Sequence, residues 1–174
     1  LKLADAGARV VLVARGEEKL AETKHEIDAL GGRAVMYTAH VSDLQSCDAL
    51  VQRVLAEQGG CDFLINNAGR SIRRGIVNSF DRFHDFERTM QLNYFGAIRL
   101  ILGFLPKIIE QKCGQIINIS SIGVLSNAPR FSAYVASKSA LDSFSACAAS
   151  EFVDKNIPFT TINMQLVPTP MLAP

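Results

Sequence analysis

Tyr134 and Lys138 are the residues of this sequence whose types and spacing point most directly to chemistry. A separation of four places both side chains on one face of a helix. A tyrosine with a pKa near about 10 is a poor proton shuttle at neutral pH, but a neighbouring ammonium favours the phenolate and lowers that pKa. The pair predicts a group that exchanges a proton with a carbonyl or alcohol oxygen. Taken alone, the same spacing also fits a half-buried tyrosine beside a lysine that extends to solvent.

Two polar residues further upstream extend this interpretation. Ser121 lies thirteen residues before Tyr134, just after a predicted strand, where its hydroxyl could hold the reacting oxygen by a hydrogen bond. Asn93 falls on the apolar stripe of a long predicted helix. A buried asparagine without a hydrogen bond costs about 1–3 kcal/mol, so this side chain must have partners. Asn93 could have a structural role, in which it bonds the carbonyls of its own helix or fixes a kink. It could also hold a water near the reaction centre, and the two roles are compatible.

Short β-rich runs alternate with helical patterns and supply the elements that position these residues. The predicted strands are 9–13, 34–38, 62–65, 115–119 and 159–163, and the predicted helices are 17–30, 43–58, 83–105 and 132–153. Repeated β-α-β units imply a parallel sheet covered by helices on both faces. Ligands of such sheets bind beyond the carboxyl ends of the strands, so the residues that follow each strand are the candidate site.

The residues after the first and third strands point to a dinucleotide. Arg15 follows the first strand, where a carboxylate favours NAD and an arginine favours the 2′-phosphate of NADP. The sequence therefore favours NADP over NAD, although an exposed arginine at a strand end is the alternative. Asn66-Asn67-Ala68-Gly69 follows the third strand, and its small residues let the backbone approach a ligand closely. The alternative for that stretch is an ordinary turn.

The composition limits the other classes of function. The 174 residues fit one domain, and 48% of them are hydrophobic. Eighteen basic and seventeen acidic residues leave a net charge of +1, which does not favour a nucleic-acid or membrane-surface binder. The four cysteines have no metal-ligand spacing, so we expect no metal site and a reduced, cytoplasmic protein. No uninterrupted apolar run reaches the roughly 18 residues of a membrane span, so none is expected.

The motifs together resemble those of the short-chain dehydrogenase/reductase family. Asn66-Asn67-Ala68-Gly69, Asn93, Ser121 and Tyr134-x-x-x-Lys138 match the family's motifs in order and spacing. The resemblance implies an α/β fold with a Rossmann-type doubly wound parallel sheet. It also implies a nicotinamide-dependent enzyme with these four polar side chains as its catalytic centre.

The resemblance further assigns roles around the cofactor. Lys138 would also bind the nicotinamide ribose, and Tyr134 would lie beside it, while Asn93 would hold a water in the proton relay. Asn67, Ala68 and Gly69 would line the cofactor, and Arg15 would favour NADP. Two more residues, Val167 and Thr169, match family positions that touch the carboxamide and a phosphate.

The sequence departs from the family pattern at both ends. The family's first strand and its T-G-x-x-x-G-x-G phosphate loop are absent, and Leu1–Gly7 resembles the end of the helix that follows that loop. We therefore expect a single domain over 1–174 that is incomplete at both ends. The absent strand is central in the family's sheet, so the strands at 9–13 and 34–38 would be separated from the strand at 62–65. The usual Pro-Gly after the last strand is replaced by Met164-Gln165.

A narrower resemblance is to the reductase half of bacterial fatty acyl-CoA reductases. The stretches NNAGRSIRRGIV and SNAPRFSAYVASKSALDSFS carry it, and it implies reduction of a long-chain acyl-CoA or fatty aldehyde. Arg70, Arg73 and Arg74 could meet a CoA phosphate, or they form a solvated basic loop. The alternatives are a ketone or steroid-type alcohol dehydrogenase and a non-catalytic dimerisation or scaffold domain.

The long helix at 83–105 is apolar on more than one face. Phe95, Ile98, Leu102 and Leu105 lie off its core stripe. A helix that is apolar all round is buried all round, and family members pair through this region. We therefore expect a homodimer or homotetramer that acts on a small-molecule carbonyl or alcohol.

Overall fold

Parallel strands alternate with helices throughout residues 1–165, the part of the chain that the computed structural model describes. In order, the strands are β1 (Arg9–Ala14), β2 (Arg33–Thr38), β3 (Phe63–Asn66), β4 (Gln115–Ser121) and β5 (Phe159–Met164). The helices are α1 (Lys2–Asp5), α2 (Glu17–Ala29), α3 (Leu44–Gln58), α4 (Phe83–Met90), α5 (Ala97–Gln111), α6 (Ile122–Ser126) and α7 (Ser132–Glu151). The predicted α/β class with parallel strands is confirmed.

The first compact unit, Leu1–Val41, holds one pair of strands. β1 and β2 pair in parallel with Arg9 opposite Arg33, and a small apolar core lies against them, formed by Ala4, Ile27 and Ala34. Within the described residues β1 pairs with β2 alone, so its apolar run is half-buried and Val13 is exposed.

The second unit begins at Ser42 and contains the other three strands in the order β3-β4-β5. Asn66 at the end of β3 is opposite Asn118 of β4, and Ser121 at the end of β4 is opposite Met164 of β5. The pairing of the described strands thus forms two sheets, as the resemblance implied. The prediction of a single domain over 1–174 stays a prediction.

α4 and α5 form one continuous helix, joined by a π-helical turn over Gln91–Gly96. The helix continues to Gln111, past the predicted end at 105, although Pro106 lacks the N–H of an interior position. The flanking Leu105 and Ile108 are buried, and their packing outweighs the local penalty of the proline.

This long helix differs from its predicted pattern in two ways. Leu105, placed off the core stripe from the sequence, is buried, and Phe83 at the start of the helix is exposed. By length and composition alone, Phe83–Gln111 could also cross a membrane, which the search for uninterrupted apolar runs did not indicate. The core helix of a soluble protein passes the same test, so this is weak evidence for a span.

Candidate active site

The helix α7 brings Tyr134 and Lys138 to one face, as the spacing predicted. Tyr134 is half-buried, and the buried Leu141 and Ser145 continue the face of Lys138. Lys138 is only 3% exposed, and its Nζ donates a hydrogen bond of 2.7 Å to the carbonyl oxygen of Ile119 in β4. An ammonium has three hydrogens to donate, so Lys138 is anchored by one bond and can make others.

Burial also changes the acidity of this lysine. Desolvation lowers the pKa of Lys138 to about 8, against the opposing attraction of the Asp142 carboxylate one turn further along α7. Burial raises the pKa of Asp142, while Lys138 and the nearby Ser120 hydroxyl act to lower it. Ser120 Oγ and Asp142 Oδ1 are both buried, and within the described residues neither atom has a partner at hydrogen-bonding distance and angle. At neutral pH, Lys138 is mostly a charged ammonium inside the protein.

Asn93 lies in the π-helical turn, is 1% exposed, and is fully engaged by its neighbours. Its Oδ1 accepts the backbone N–H of Arg70 at 2.8 Å, and its Nδ2 donates to the Arg70 carbonyl at 2.9 Å and to Ser137 Oγ at 2.9 Å. Ser137 Oγ in turn donates to the Tyr134 carbonyl at 2.7 Å. Asn93 therefore fastens the loop after β3 to the helix that carries Tyr134. Both of its amide hydrogens are used, so a water held by this residue would need an oxygen atom of Asn93.

The Asn66-Asn67-Ala68-Gly69 stretch begins at the last residue of β3, and Asn67 and Ala68 are exposed. Gly69 lies directly against the site: a methyl group there would be 3.5 Å from Asn93 Oδ1 and 3.6 Å from Lys138 Nζ. The structure therefore brings Gly69, Asn93 and Lys138 together, with the exposed edge of the loop beside them.

A buried chain of hydrogen bonds connects the elements around these residues. Asn66 Nδ2 donates to Asn118 Oδ1 at 2.8 Å, and Asn118 Nδ2 donates to Ser145 Oγ at 2.7 Å. Ser145 Oγ completes the chain by donating to the Leu141 carbonyl at 2.8 Å. The chain links β3, β4 and α7, which are the three elements that carry the site.

Ser121 is the last residue of β4 and the N-cap of α6. Its Oγ accepts the backbone N–H of Gly123 at 3.1 Å. Because a hydroxyl both donates and accepts, this bond leaves the Ser121 hydrogen available to a substrate oxygen. Ser121 lies two residues beyond Ile119, whose carbonyl binds Lys138.

The remaining predicted cofactor residues are Arg15, Val167 and Thr169. Arg15 follows β1 in the first unit and is exposed. Val167 and Thr169 lie outside the described residues. Within residues 1–165, no group of three His, Cys, Asp or Glu side chains could hold a metal ion.

Several residues that support the site were not identified from the sequence. Asp142 repeats the spacing of the Tyr134–Lys138 pair once more, so the pattern Y-x-x-x-K-x-x-x-D was a usable signal. Asn66 and Asn118 are buried amides inside apolar strands, which is another such signal. Ser137 gave no signal, because a serine on a helix is ordinary until its partner is known.

Comparison with known proteins identifies the family of the chain. The family model described as short chain dehydrogenase matches residues 1–174. A fatty acyl-CoA reductase of Acinetobacter baylyi is 59% identical over 173 residues, which make up 99% of this chain and 59% of that protein. A fatty acyl-CoA reductase of Mycobacterium tuberculosis is 46% identical over 168 residues, covering 96% of this chain and 57% of that protein.

Solved structures share the fold. A metagenomic short-chain oxidoreductase in complex with NADP superposes with a TM-score of 0.88 at 34% identity, over 95% of this chain and 75% of that one. This likeness confirms the predicted Rossmann-type fold. The chain spans only 52–59% of the length of the curated relatives named here and of an uncharacterized mycobacterial oxidoreductase.

Proposed function

The chain belongs to the short chain dehydrogenase family, and we propose that its natural protein reduces the carbonyl of a long-chain acyl-CoA or fatty aldehyde with NADPH. The observation that carries the proposal is the buried ammonium of Lys138 on the same helix face as Tyr134. A lysine in that position is expensive unless its charge is used. The substrate class rests on the likeness to two proteins named fatty acyl-CoA reductase.

In this proposal each of the four polar side chains has a separate task. Tyr134 gives its phenolic proton to the substrate oxygen, and the Lys138 ammonium stabilises the phenolate that remains. Ser121 donates its free hydroxyl hydrogen to the same oxygen and so fixes the position of the carbonyl. Asn93 holds the loop after β3 against α7 and orders a water through one of its oxygen atoms.

The residues around Gly69 and Lys138 fit a nicotinamide cofactor. Lys138 has ammonium hydrogens beyond the one bonded to Ile119, which suit the hydroxyls of a ribose. Gly69 leaves open the space that a side chain would fill beside that ammonium. When bound, the nicotinamide supplies the hydride. The choice of NADP over NAD rests on Arg15, whose guanidinium suits a 2′-phosphate.

Two further features belong to the proposal. The long helix exposes Phe95, Leu102 and Ile109, which supports pairing of copies into a homodimer or homotetramer. All four cysteines are free, which fits a reducing, cytoplasmic setting.

The test is a substrate and cofactor panel on the natural full-length protein. We expect NADPH to be consumed with a hexadecanoyl thioester of CoA or with hexadecanal, and NADH to be consumed more slowly. Arg15→Ala should reduce the preference for NADPH, with Arg33→Ala as the matched control in the same unit. Faster turnover of a ketone or steroid would favour the alcohol dehydrogenase alternative. No turnover with any carbonyl would favour the scaffold alternative.

A further inference from the structure

A basic cavity of about 340 Å³ opens between the loop after β3 and the segment that precedes α7. Residues from two separate segments line this cavity, and three of them are arginines. The lining residues are Arg73, Arg74, Gly75, Val77, Asn78 and Arg130. The two segments are joined where the backbone N–H of Arg74 donates to the Arg130 carbonyl at 2.7 Å. The cavity is therefore built by a long-range backbone contact rather than by one basic stretch of chain.

The three guanidinium groups are not equivalent. Arg74 Nε donates to the buried carboxylate of Asp85 at 3.0 Å, and Asp85 also accepts from Arg82 and Arg88. Arg73 and Arg130 make no ion pair or side-chain hydrogen bond within the described residues. Arg130 is held at φ 68°, a left-handed conformation that is costly for a residue with a side chain. Two forked donors thus line the cavity without an ion pair to a carboxylate in residues 1–165.

Both segments lead directly into the catalytic residues. Arg70, three residues before Arg73, is the backbone partner of Asn93. Arg130 precedes Tyr134 by four residues, which limits their Cα separation to about 14 Å. Between them, the Phe131 ring packs edge-on against the Tyr134 ring with centroids 6.4 Å apart. An anion in this cavity would lie on segments that adjoin Tyr134, which is not among the lining residues.

We propose that the cavity lined by Arg73 and Arg130 binds a phosphate of the coenzyme A that carries the acyl chain. This inference rests on the proposed function, because a fatty aldehyde has no such phosphate. Arginine binds phosphate through two parallel hydrogen bonds, and two arginines in a concave site suit a phosphate or diphosphate. The flexible pantetheine arm of coenzyme A separates these phosphates from the thioester, which matches an anion site close to Tyr134 but apart from it.

The cavity would favour the acyl-CoA thioester over the fatty aldehyde as a substrate. Reduction of the thioester would transfer a hydride from NADPH to the carbonyl carbon; the carbonyl then re-forms as the C–S bond breaks, which gives the aldehyde and a coenzyme A thiolate that takes one proton to become the thiol. Reduction of the aldehyde uses the same Tyr134 but needs no phosphate. Loss of the two arginines should therefore weaken the thioester reaction and spare the aldehyde reaction.

A membrane surface is the competing partner, because the same segment exposes Ile76, Val77 and Phe80 beside the arginines. A flat array of lipid phosphates suits a protruding basic patch, whereas these guanidiniums line a concavity. The small-molecule phosphate is the better fit to that shape.

The experiment compares Arg73→Gln, Arg130→Gln and the double variant of the full-length protein with Arg53→Gln. Arg53 is a matched control, since it lies on α3, pairs with Glu57 and does not line the cavity. We expect each cavity variant to lower kcat/KM for hexadecanoyl-CoA about tenfold, as loss of one charge-assisted contact implies. In the cavity variants, turnover of hexadecanal and the KM for NADPH should stay within about twofold of the wild type. The control Arg53→Gln should stay within the same range for both substrates, because it removes one charge far from the cavity.

A second readout uses coenzyme A and pantetheine as inhibitors. Coenzyme A should inhibit the wild type more strongly than pantetheine, and the double variant should lose that difference. Equal losses on the thioester and the aldehyde would overturn the proposal, because the arginines would then act on the fold. A raised KM for NADPH alone would also overturn it, in favour of a cofactor phosphate.

Anionic phospholipid vesicles complete the test. If the cavity variants lose vesicle binding and keep the coenzyme A preference, the surface faces a membrane and the proposal is wrong. If the wild type reduces hexadecanal but shows no coenzyme A preference, the inference fails while the reductase proposal stands. If the wild type reduces neither substrate, the reductase proposal has failed first.

Discussion

Asn93→Ala is expected to loosen the loop after β3 and to destabilise the whole second unit. The substitution removes the three hydrogen bonds of the Asn93 side chain, each 2.8–2.9 Å long; the one to Ser137 is buried and the two to the Arg70 backbone are partly buried. It leaves the Arg70 N–H and carbonyl without those partners, in a place that water reaches poorly. At about 1 kcal/mol net for each bond, and with alanine slightly favoured in a helix, we expect a loss of about 2–3 kcal/mol.

Ser137→Ala is the matched control for this variant. Ser137 accepts only one bond from Asn93, and its other bond runs to the Tyr134 carbonyl within the same helix. We expect a loss of about 1 kcal/mol, because both bonds of Arg70 to Asn93 remain. The two variants therefore separate the anchoring of the loop from the general cost of removing a buried polar group.

The assay is urea unfolding combined with hydrogen exchange at the Arg70 amide. Asn93→Ala should lower the free energy of unfolding by about 2–3 kcal/mol and expose the Arg70 amide to exchange. Ser137→Ala should leave that amide protected. If Asn93→Ala unfolds within about 0.5 kcal/mol of the wild type and Arg70 stays protected, Asn93 does not anchor the loop and our reasoning is refuted.

Three further predictions concern charge and packing. The kcat/KM of the reductase should fall above about pH 8 as Lys138 loses its proton, and Asp142→Asn should move that fall to lower pH because the carboxylate attraction raises this pKa. Burial acts to raise the pKa of Asp85, but its hydrogen bonds to three arginines hold it at about 2, below the unfolded value of about 3.9. Asp85→Asn should thus cost about 1–3 kcal/mol at pH 6, and the difference from the wild type in urea unfolding should shrink between pH 4 and pH 2. Gly103→Ala should cost about 1–3 kcal/mol in the same assay, because the added methyl would lie 2.7 Å from a methyl carbon of Val51.

Local patterns were enough to predict the five strands and the longer helices, and to place Tyr134 and Lys138 on one helix face. Strand and helix positions follow from period and from the residues that end each element, and the structure confirms them within two residues except at the end of the long helix, which continues to Gln111. The position of Lys138 on the inner face follows from its spacing to Tyr134 and to Leu141. These features depend on neighbours along the chain, which the sequence displays directly.

The parts that were wrong or unforeseen depend on contacts between distant segments. The helix past Pro106 is held by packing of Leu105 and Ile108, which local propensity does not report. The cavity at Arg130 exists because its carbonyl meets the Arg74 backbone, a pairing without any pattern in the sequence. The partners of Asn93 were likewise undetermined, although its need for partners was clear.

The central claim is that Tyr134 moves the proton in a nicotinamide-dependent reduction, and one comparison tests it most directly. Turnover of hexadecanal by full-length Tyr134→Phe is measured beside Tyr94→Phe, whose ring packs against Phe95 in the π-helical turn. NADPH binding is followed separately by fluorescence. We predict that Tyr134→Phe binds NADPH but loses at least about a hundredfold in kcat, while Tyr94→Phe stays close to the wild type. A Tyr134→Phe variant that turns over within about twofold of the wild type would contradict the account, since general acid catalysis contributes far more than that.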